Sequence, residues 1–211
     1  MTETIIPIDD LITAVEKADS APKLFLAVSN LAKVRSPLAI PTLIEVLGYN
    51  NPGAAVAATE GLIAIGKPAV TSLLENVDDY NYGARAWAIR VFAGIGDPRA
   101  LQLLLKAASS DFSLSVRRAA TKGLGSITWS EIPPENRPQA QQKVLDTLLI
   151  TAQDGEWVVR YATVVSLGNL YQAVDNQNMK HIIQKTLINL KEDDEEIAIQ
   201  TRSTLALRHL T

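Results

Sequence analysis

The sequence predicts an all-α protein, a solenoid of stacked helical pairs, and three observations carry that reading. Pro37, Pro68 and Pro98 fall 31 and 30 residues apart, each just before a Leu-rich run. Helices with a common signature recur: one runs through Ala84-Arg85-Ala86-Trp87 to Gly94-Ile95-Gly96, one from Val116-Arg117-Arg118-Ala119 to Gly123-Leu124-Gly125, and one from Val159-Arg160-Tyr161-Ala162 to Leu167-Gly168-Asn169. Asp79, Asp111 and Asp154 each precede an arginine, Arg85, Arg117 and Arg160, by six residues. Self-similarity at a period of this size marks supersecondary units that bury their apolar faces only by stacking on one another. An Asp in the turn before each helix can accept its N-terminal amides, or pair with an arginine of its own or the next unit.

Composition supports helices packed through small and aliphatic side chains. The chain has 211 residues, 47% hydrophobic but only 5% aromatic, and a formal net charge of −3. That balance offers no general attraction to nucleic acid. There is no cysteine, so disulfides, thiolate nucleophiles and thiolate metal sites are excluded. The N-terminus lacks the basic and apolar regions of a signal peptide, and no apolar run is long enough to span a membrane. The expectation is a cytoplasmic protein with no membrane insertion.

Taken in order, residues 1–20 carry a short N-terminal helix with Ile8, Leu11, Ile12 and Val15 at helical spacing. Residues 23–34 and 37–48 form the first pair, and residues 54–65 and 68–77 the second. Gly61 inside this second pair implies close approach of a neighbouring helix, which offsets its roughly 1 kcal/mol propensity cost. Residues 82–95 and 98–109 follow, then 113–127. The period breaks over 128–138, where Pro133, Pro134 and Pro138 predict a loop carrying Trp129. Residues 139–152, 156–172 and 176–190 resume the helices. The acidic run Glu192–Glu196 is expected to open a last, capping helix over 194–211.

Aligning the repeats on Arg85, Arg117 and Arg160 exposes departures from the aliphatic pattern. Tyr82, Trp87, Arg90, Arg118, Lys122, Trp157 and Tyr161 combine cations with flat aromatic faces, a set suited to a planar ligand that bears carboxylates. The repeated arginines also read as structural links between units. Trp87 stands where the other repeats have Ala119 and Ala162, and Trp129 either packs back on the solenoid or anchors an interface. Catalytic signatures are weak. His181 and His209 are the only histidines, no ligand spacing suggests a metal, and Gly94-Ile95-Gly96 closes a helix where a dinucleotide fingerprint would follow a strand. The chemistry alone describes a binding module.

The Asp-to-Arg spacing resembles the HEAT repeat, and the short units with Val-Arg-x-Ala, Leu-Gly and Gly-Asp-Pro-x-Ala resemble the HEAT-like repeats of phycobilisome lyases. In length, in the block from Asp79 to Ala100, in the Trp129 insert and in its terminal cap, the whole chain is similar to the F-type subunits of the heterodimeric E/F-type phycocyanobilin lyases. The resemblance implies a right-handed α/α superhelix of about five helical pairs plus terminal helices, forming one domain over residues 1–211. It also implies that residues 54–65, 82–95, 113–127, 156–172 and 195–210 line the inner face.

The function so implied is attachment of phycocyanobilin, as substrate with no permanently bound cofactor, through a thioether to a cysteine of the phycocyanin α-subunit. The thiol belongs to the acceptor, so a cysteine-free lyase is chemically consistent. Subunits that also isomerise the bilin carry a His-Cys motif; with none here, attachment without isomerisation is expected. On this reading Asp78, Asp79 and Tyr82 are the catalytic candidates, and Tyr80, Arg85, Trp87, Arg90, Arg118, Lys122, Trp157 and Tyr161 the bilin-binding ones. An E-type partner would be met either by the N-terminal end, with Leu11, Ile12 and Val15, or by Trp129. A non-catalytic scaffold that holds a protein partner on its concave face, or a bilin carrier, are the alternatives.

Overall fold

In the computed structural model, residues 6–76 and 81–210 are described. Among them are twelve α-helices, three short 3-10 helices and no strand. The helices cluster into two compact units, Met1–Ile95 and Gly96–Thr211.

The first unit contains α1 (Ile8–Glu16), α2 (Ala21–Val34), α3 (Ile40–Val46), α4 (Pro52–Ile65), α5 (Pro68–Glu75) and α6 (Tyr82–Ile95). Helices α2, α4 and α6 lie side by side in that order, and α3 packs on α4 and α5. Asn51 and Asn81 cap α4 and α6 in the same way, each accepting the amide three residues on at 3.0 Å. The period also appears in the backbone. Arg35, Gly66 and Gly96 follow the ends of α2, α4 and α6 with positive φ of 52°, 78° and 71°, each two residues before a proline. At Arg35 a ψ of 29° makes this the left-handed turn that closes a helix. Gly61 meets the expected close approach: a Cβ there would lie 2.7 Å from the Cβ of Ala32 on α2. Val28, Leu31, Leu43, Leu62 and Leu73 fill the core of this unit.

The second unit contains α7 (Leu101–Ser110), α8 (Leu114–Leu124), α9 (Arg137–Thr151), α10 (Trp157–Ala173), α11 (Gln177–Asp193) and α12 (Ile197–Arg208). Here α8, α10 and α12 form the row of neighbours, with α9 and α11 behind them. Leu104, Leu124, Leu145, Leu148, Leu167 and Leu187 are fully buried between the layers. The row is close-packed: Ser166 on α10 donates to the Thr121 carbonyl on α8 at 2.8 Å, and Asn169 donates to the Gly125 carbonyl at 3.0 Å.

Several expected boundaries move. The returns after Pro37 and Pro98 begin as 3-10 turns, Pro37–Ala39 and Pro98–Ala100, because Ser36 and Asp97 each bond the amide two residues on. The 128–138 insert holds a 3-10 turn at Trp129–Glu131, and α9 starts early at Arg137 with Pro138 in its first turn, where a missing amide costs nothing. The acidic run does not open the last helix. Glu192 and Asp193 end α11, and Glu196 is the N-cap of α12. Asp194 is drawn into the turn between them by Arg160 of the preceding repeat, in the same unit.

Candidate functional site

The Asp-to-Arg spacing resolves into a ladder within the second unit. Arg117 donates to the Asp154 carboxylate through Nε at 2.7 Å and Nη2 at 3.1 Å, and its Nη1 donates to the carbonyls of Asp111 and Phe112 at 2.9 and 3.1 Å. Arg160 makes the same contacts one repeat later, with Asp194 at 2.7 and 2.9 Å and the carbonyls of Asp154 and Gly155 at 2.9 and 3.3 Å. Each guanidinium thus closes its own turn through backbone and grips the next turn through a carboxylate. The carboxylates in turn accept the amides of Glu156 and Glu196 at 2.9 Å. Burial opposes the charge on Asp154, yet the Arg117 hydrogen bond, the Glu156 amide and the nearby arginines outweigh it and hold its pKa below the usual range. For Asp194 the Arg160 hydrogen bond is the leading cause of the same lowering. These arginines are occupied as structure.

The candidate ligand residues fall in two groups, one per unit. On α6, Trp87 and Arg90 are half-buried, and the Arg90 guanidinium carbon lies 4.2 Å from the centroid of the Trp87 ring. Their spacing of three puts them on one helical face, and at this distance the cation is held by the ring's negative face. Arg85 is turned about 140° around the helix from Arg90 and is only 7% exposed. Burial withdraws it from any surface a ligand would meet, so its place is structural. Tyr82 is the first residue of α6, and Asp78, Asp79 and Tyr80 lie outside the described residues.

In the second unit, Arg118 and Lys122 are exposed one turn apart on α8, and Trp157 and Tyr161 are exposed one turn apart on the adjacent α10. Two cations and two aromatic rings therefore stand on neighbouring helices of one layer. Among the candidate partner contacts, Leu11 and Val15 are 7% and 3% exposed. Helix α1 packs on α2 and on the Pro37–Ala39 turn, and burial makes Leu11 and Val15 core of this chain in place of the expected partner surface. Ile12 and Trp129 are half-buried. The apolar surface of that end is presented instead by Phe25, Leu26 and Leu38, at 48%, 60% and 68% exposed. One clue to Leu26 was in the repeat: Leu26, Ala57 and Trp87 stand 31 and 30 residues apart, the spacing of the prolines.

Comparison with known proteins gives this arrangement a context. The family described as HEAT repeats matches residues 70–168. The phycocyanin alpha phycocyanobilin lyase CpcF of Synechocystis sp. is 52% identical over 96% of this chain and 94% of its own length. The chain belongs to the phycocyanobilin lyase beta-subunit family. Another relative in this family, the phycocyanobilin lyase subunit beta of Thermosynechococcus vestitus, is 50% identical, with 93% of each chain covered. Among solved structures, the complex of CpcE and CpcF of phycocyanin lyase from Nostoc sp. matches with a TM-score of 0.76 and 46% identity, over 81% of this chain and 99% of the other. The fold is therefore the HEAT-repeat solenoid of the lyase family. No helix among the described residues is long and apolar enough to cross a membrane.

Proposed function

We propose that this chain is the F-type subunit of a heterodimeric lyase that joins phycocyanobilin to a cysteine of the phycocyanin α-subunit without isomerising it. Identity of about half over nearly the full length of named lyase subunits supports the reaction. The observation in the site that carries the reading is Arg90 stacked on Trp87. A propionate-bearing tetrapyrrole needs a cation for its carboxylate and a flat apolar face for its rings, and this pair supplies both within one helical turn. Arg118, Lys122, Trp157 and Tyr161 repeat the combination on α8 and α10.

The chain contains no cysteine, so the acceptor supplies the sulfur. The thiol adds across the ethylidene double bond: a carbon–sulfur bond forms, the double bond is consumed, and the proton lost by sulfur is balanced by one gained by the bilin. No oxidant or reductant enters. The lyase contributes orientation, which converts an encounter of two large molecules into an intramolecular one, and acid–base assistance, for which Asp78, Asp79 and Tyr82 are the candidates. Phycocyanobilin is substrate, and the working place is the cytoplasm, at phycobilisome assembly. The E-type subunit docks on the N-terminal end through Phe25, Leu26 and Ile12, or on the insert through Trp129.

Reconstitution tests this. Phycocyanobilin and apo-phycocyanin α-subunit are incubated with this chain, with an E-type subunit, or with both, and covalent bilin is read by zinc-enhanced fluorescence on a denaturing gel. Product with phycocyanobilin absorption only when both chains are present is expected. Product independent of this chain would leave a scaffold, and a phycoviolobilin spectrum would remove the claim of no isomerisation.

A further inference from the structure

The N-terminal ends of α8, α10 and α12 carry a row that packing within the chain does not explain, and of its members only Trp157 is also a bilin-binding candidate. Counting back three residues from Arg117, Arg160 and Gln200, the equivalent first-turn positions are Leu114, Trp157 and Ile197. All three are large, apolar and outward, at 41%, 44% and 76% exposed. Phe112, two residues before Leu114, is 66% exposed. Because α8, α10 and α12 are successive neighbours in one layer, these side chains stand on consecutive helices at one register. Scattered exposed apolar residues need no explanation, but a row at equivalent repeat positions is a contact surface.

The charge beside the row is acidic at α10 and α12, while on α8 the exposed Arg118 stands one turn from Leu114. Glu156 precedes Trp157 and Glu195-Glu196 precede Ile197, all exposed. Next to them, between the turn 152–155 and the turn 193–195, runs an open groove of about 640 Å³ walled by Asp154, Asp193, Asp194 and Glu195. Its one cation, Arg160, is committed to Asp194. Arg117 and Arg160 compensate the inner two carboxylates, Asp154 and Asp194, so the net negative charge of the groove comes from Asp193 and Glu195.

We infer that this edge of the second unit docks a polypeptide segment in which large apolar side chains alternate with lysine or arginine. The apolar residues lie on Leu114, Trp157 and Ile197, and a cation enters the acidic groove. Charge complementarity disfavours an acidic segment, and a purely apolar one would leave Asp193 and Glu195 without a counter-charge. The inference shares only Trp157 with the bilin reading, and its test contains no bilin.

The test uses the full chain and labelled twelve-residue peptides of alternating Leu–Lys, Leu–Glu and Leu–Gln, followed by fluorescence anisotropy. The Leu–Lys peptide is expected to bind and to weaken with salt. Ile197→Ser and the pair Glu195→Gln/Glu196→Gln should each weaken it by about tenfold or more, while Glu60→Gln, on the first unit, leaves it unchanged. Ile197 is exposed enough for its replacement to fold, which circular dichroism verifies. Equal binding of all three peptides, equal loss in the Glu60 variant, or no binding at all would overturn the inference.

Discussion

Arg160 grips Asp194, thirty-four residues further along the chain, through two parallel hydrogen bonds of 2.7 and 2.9 Å, and the carboxylate is only 4% exposed. A bidentate, half-dry pair of this kind differs from the chain's exposed pair Lys23–Asp19, whose side chains are 67% and 69% accessible. Removing one partner of the first leaves a guanidinium in a poorly hydrated turn. Asp194→Ala is expected to cost about 2–4 kcal/mol, and Asp19→Ala less than about 1 kcal/mol. Urea denaturation of the two variants measures the difference, and similar midpoints would contradict it.

The same pairs set a response to acid. Asp154 and Asp194 have folded pKa values below their unfolded ones, so below about pH 4 the unfolded chain binds more protons than the native one. Their contribution is complete above the unfolded carboxylate range and fades as pH falls through the lower folded values. Melting temperature is therefore expected to drop between about pH 5 and pH 3. In the double variant Asp154→Asn/Asp194→Asn, the curve starts lower at pH 7 and is flatter across that interval. Parallel curves for wild type and variant would assign the acid response to other groups.

Arg90 and Trp87 separate ligand contact from packing. A partly exposed cation–π contact contributes about 0.5–1 kcal/mol, so loss of the Trp87 contact in Arg90→Gln accounts for about that much of any change in stability. If Arg90 holds a bilin carboxylate, the same change should lower the rate of chromophore attachment in the heterodimer by tenfold or more, since a charge-assisted hydrogen bond contributes about 1.5–3 kcal/mol. Arg90→Lys should recover part of the rate. Loss of rate that tracks loss of stability would make the pair structural.

Close packing of α2 on α4 predicts opposite outcomes at two glycines. A Cβ at Gly61 would press on Ala32, whereas one at Gly168, inside α10, meets nothing within 4 Å. Gly61→Ala is expected to destabilise by about 1–3 kcal/mol, and Gly168→Ala to stabilise by about 0.5–1 kcal/mol through helix propensity. Calorimetry on the two variants gives the signs.

The repeat was legible in the sequence because its punctuation is local. Proline, positive-φ positions and the Asp-to-Arg spacing each act within one turn, so Pro37, Pro68 and Pro98 locate three returns unaided. The direction of the ladder was not legible. Spacing six allowed Asp154 to pair with Arg160 of its own unit, whereas the side chain takes Arg117 and leaves Arg160 only its backbone carbonyl. Leu11 and Val15 share an apolar stripe, and a stripe does not say whether its cover is α2 or another chain. In the Asp78–Arg90 block the aromatic and cationic residue types stood out, but only helical phase separates Arg85, turned inward, from Trp87 and Arg90. The acidic run misled because residues 192–196 end one helix and begin the next without a proline or glycine between them.

The ladder also bears on how such a chain can grow. Each arginine needs only an aspartate at the head of whatever unit follows, and the links span 37 and 34 residues. A gene segment running from one turn aspartate to the residue before the next is thus a self-contained cassette. Excising residues 154–193 would bring Arg117 to Asp194, and duplicating them would offer the new arginine a new aspartate. At Gln200, the position of Arg117 and Arg160, an amide reaches back to the Asp194 carbonyl at 2.7 Å and asks for no carboxylate ahead. The array can therefore lengthen or shorten by whole cassettes without stranding a charge.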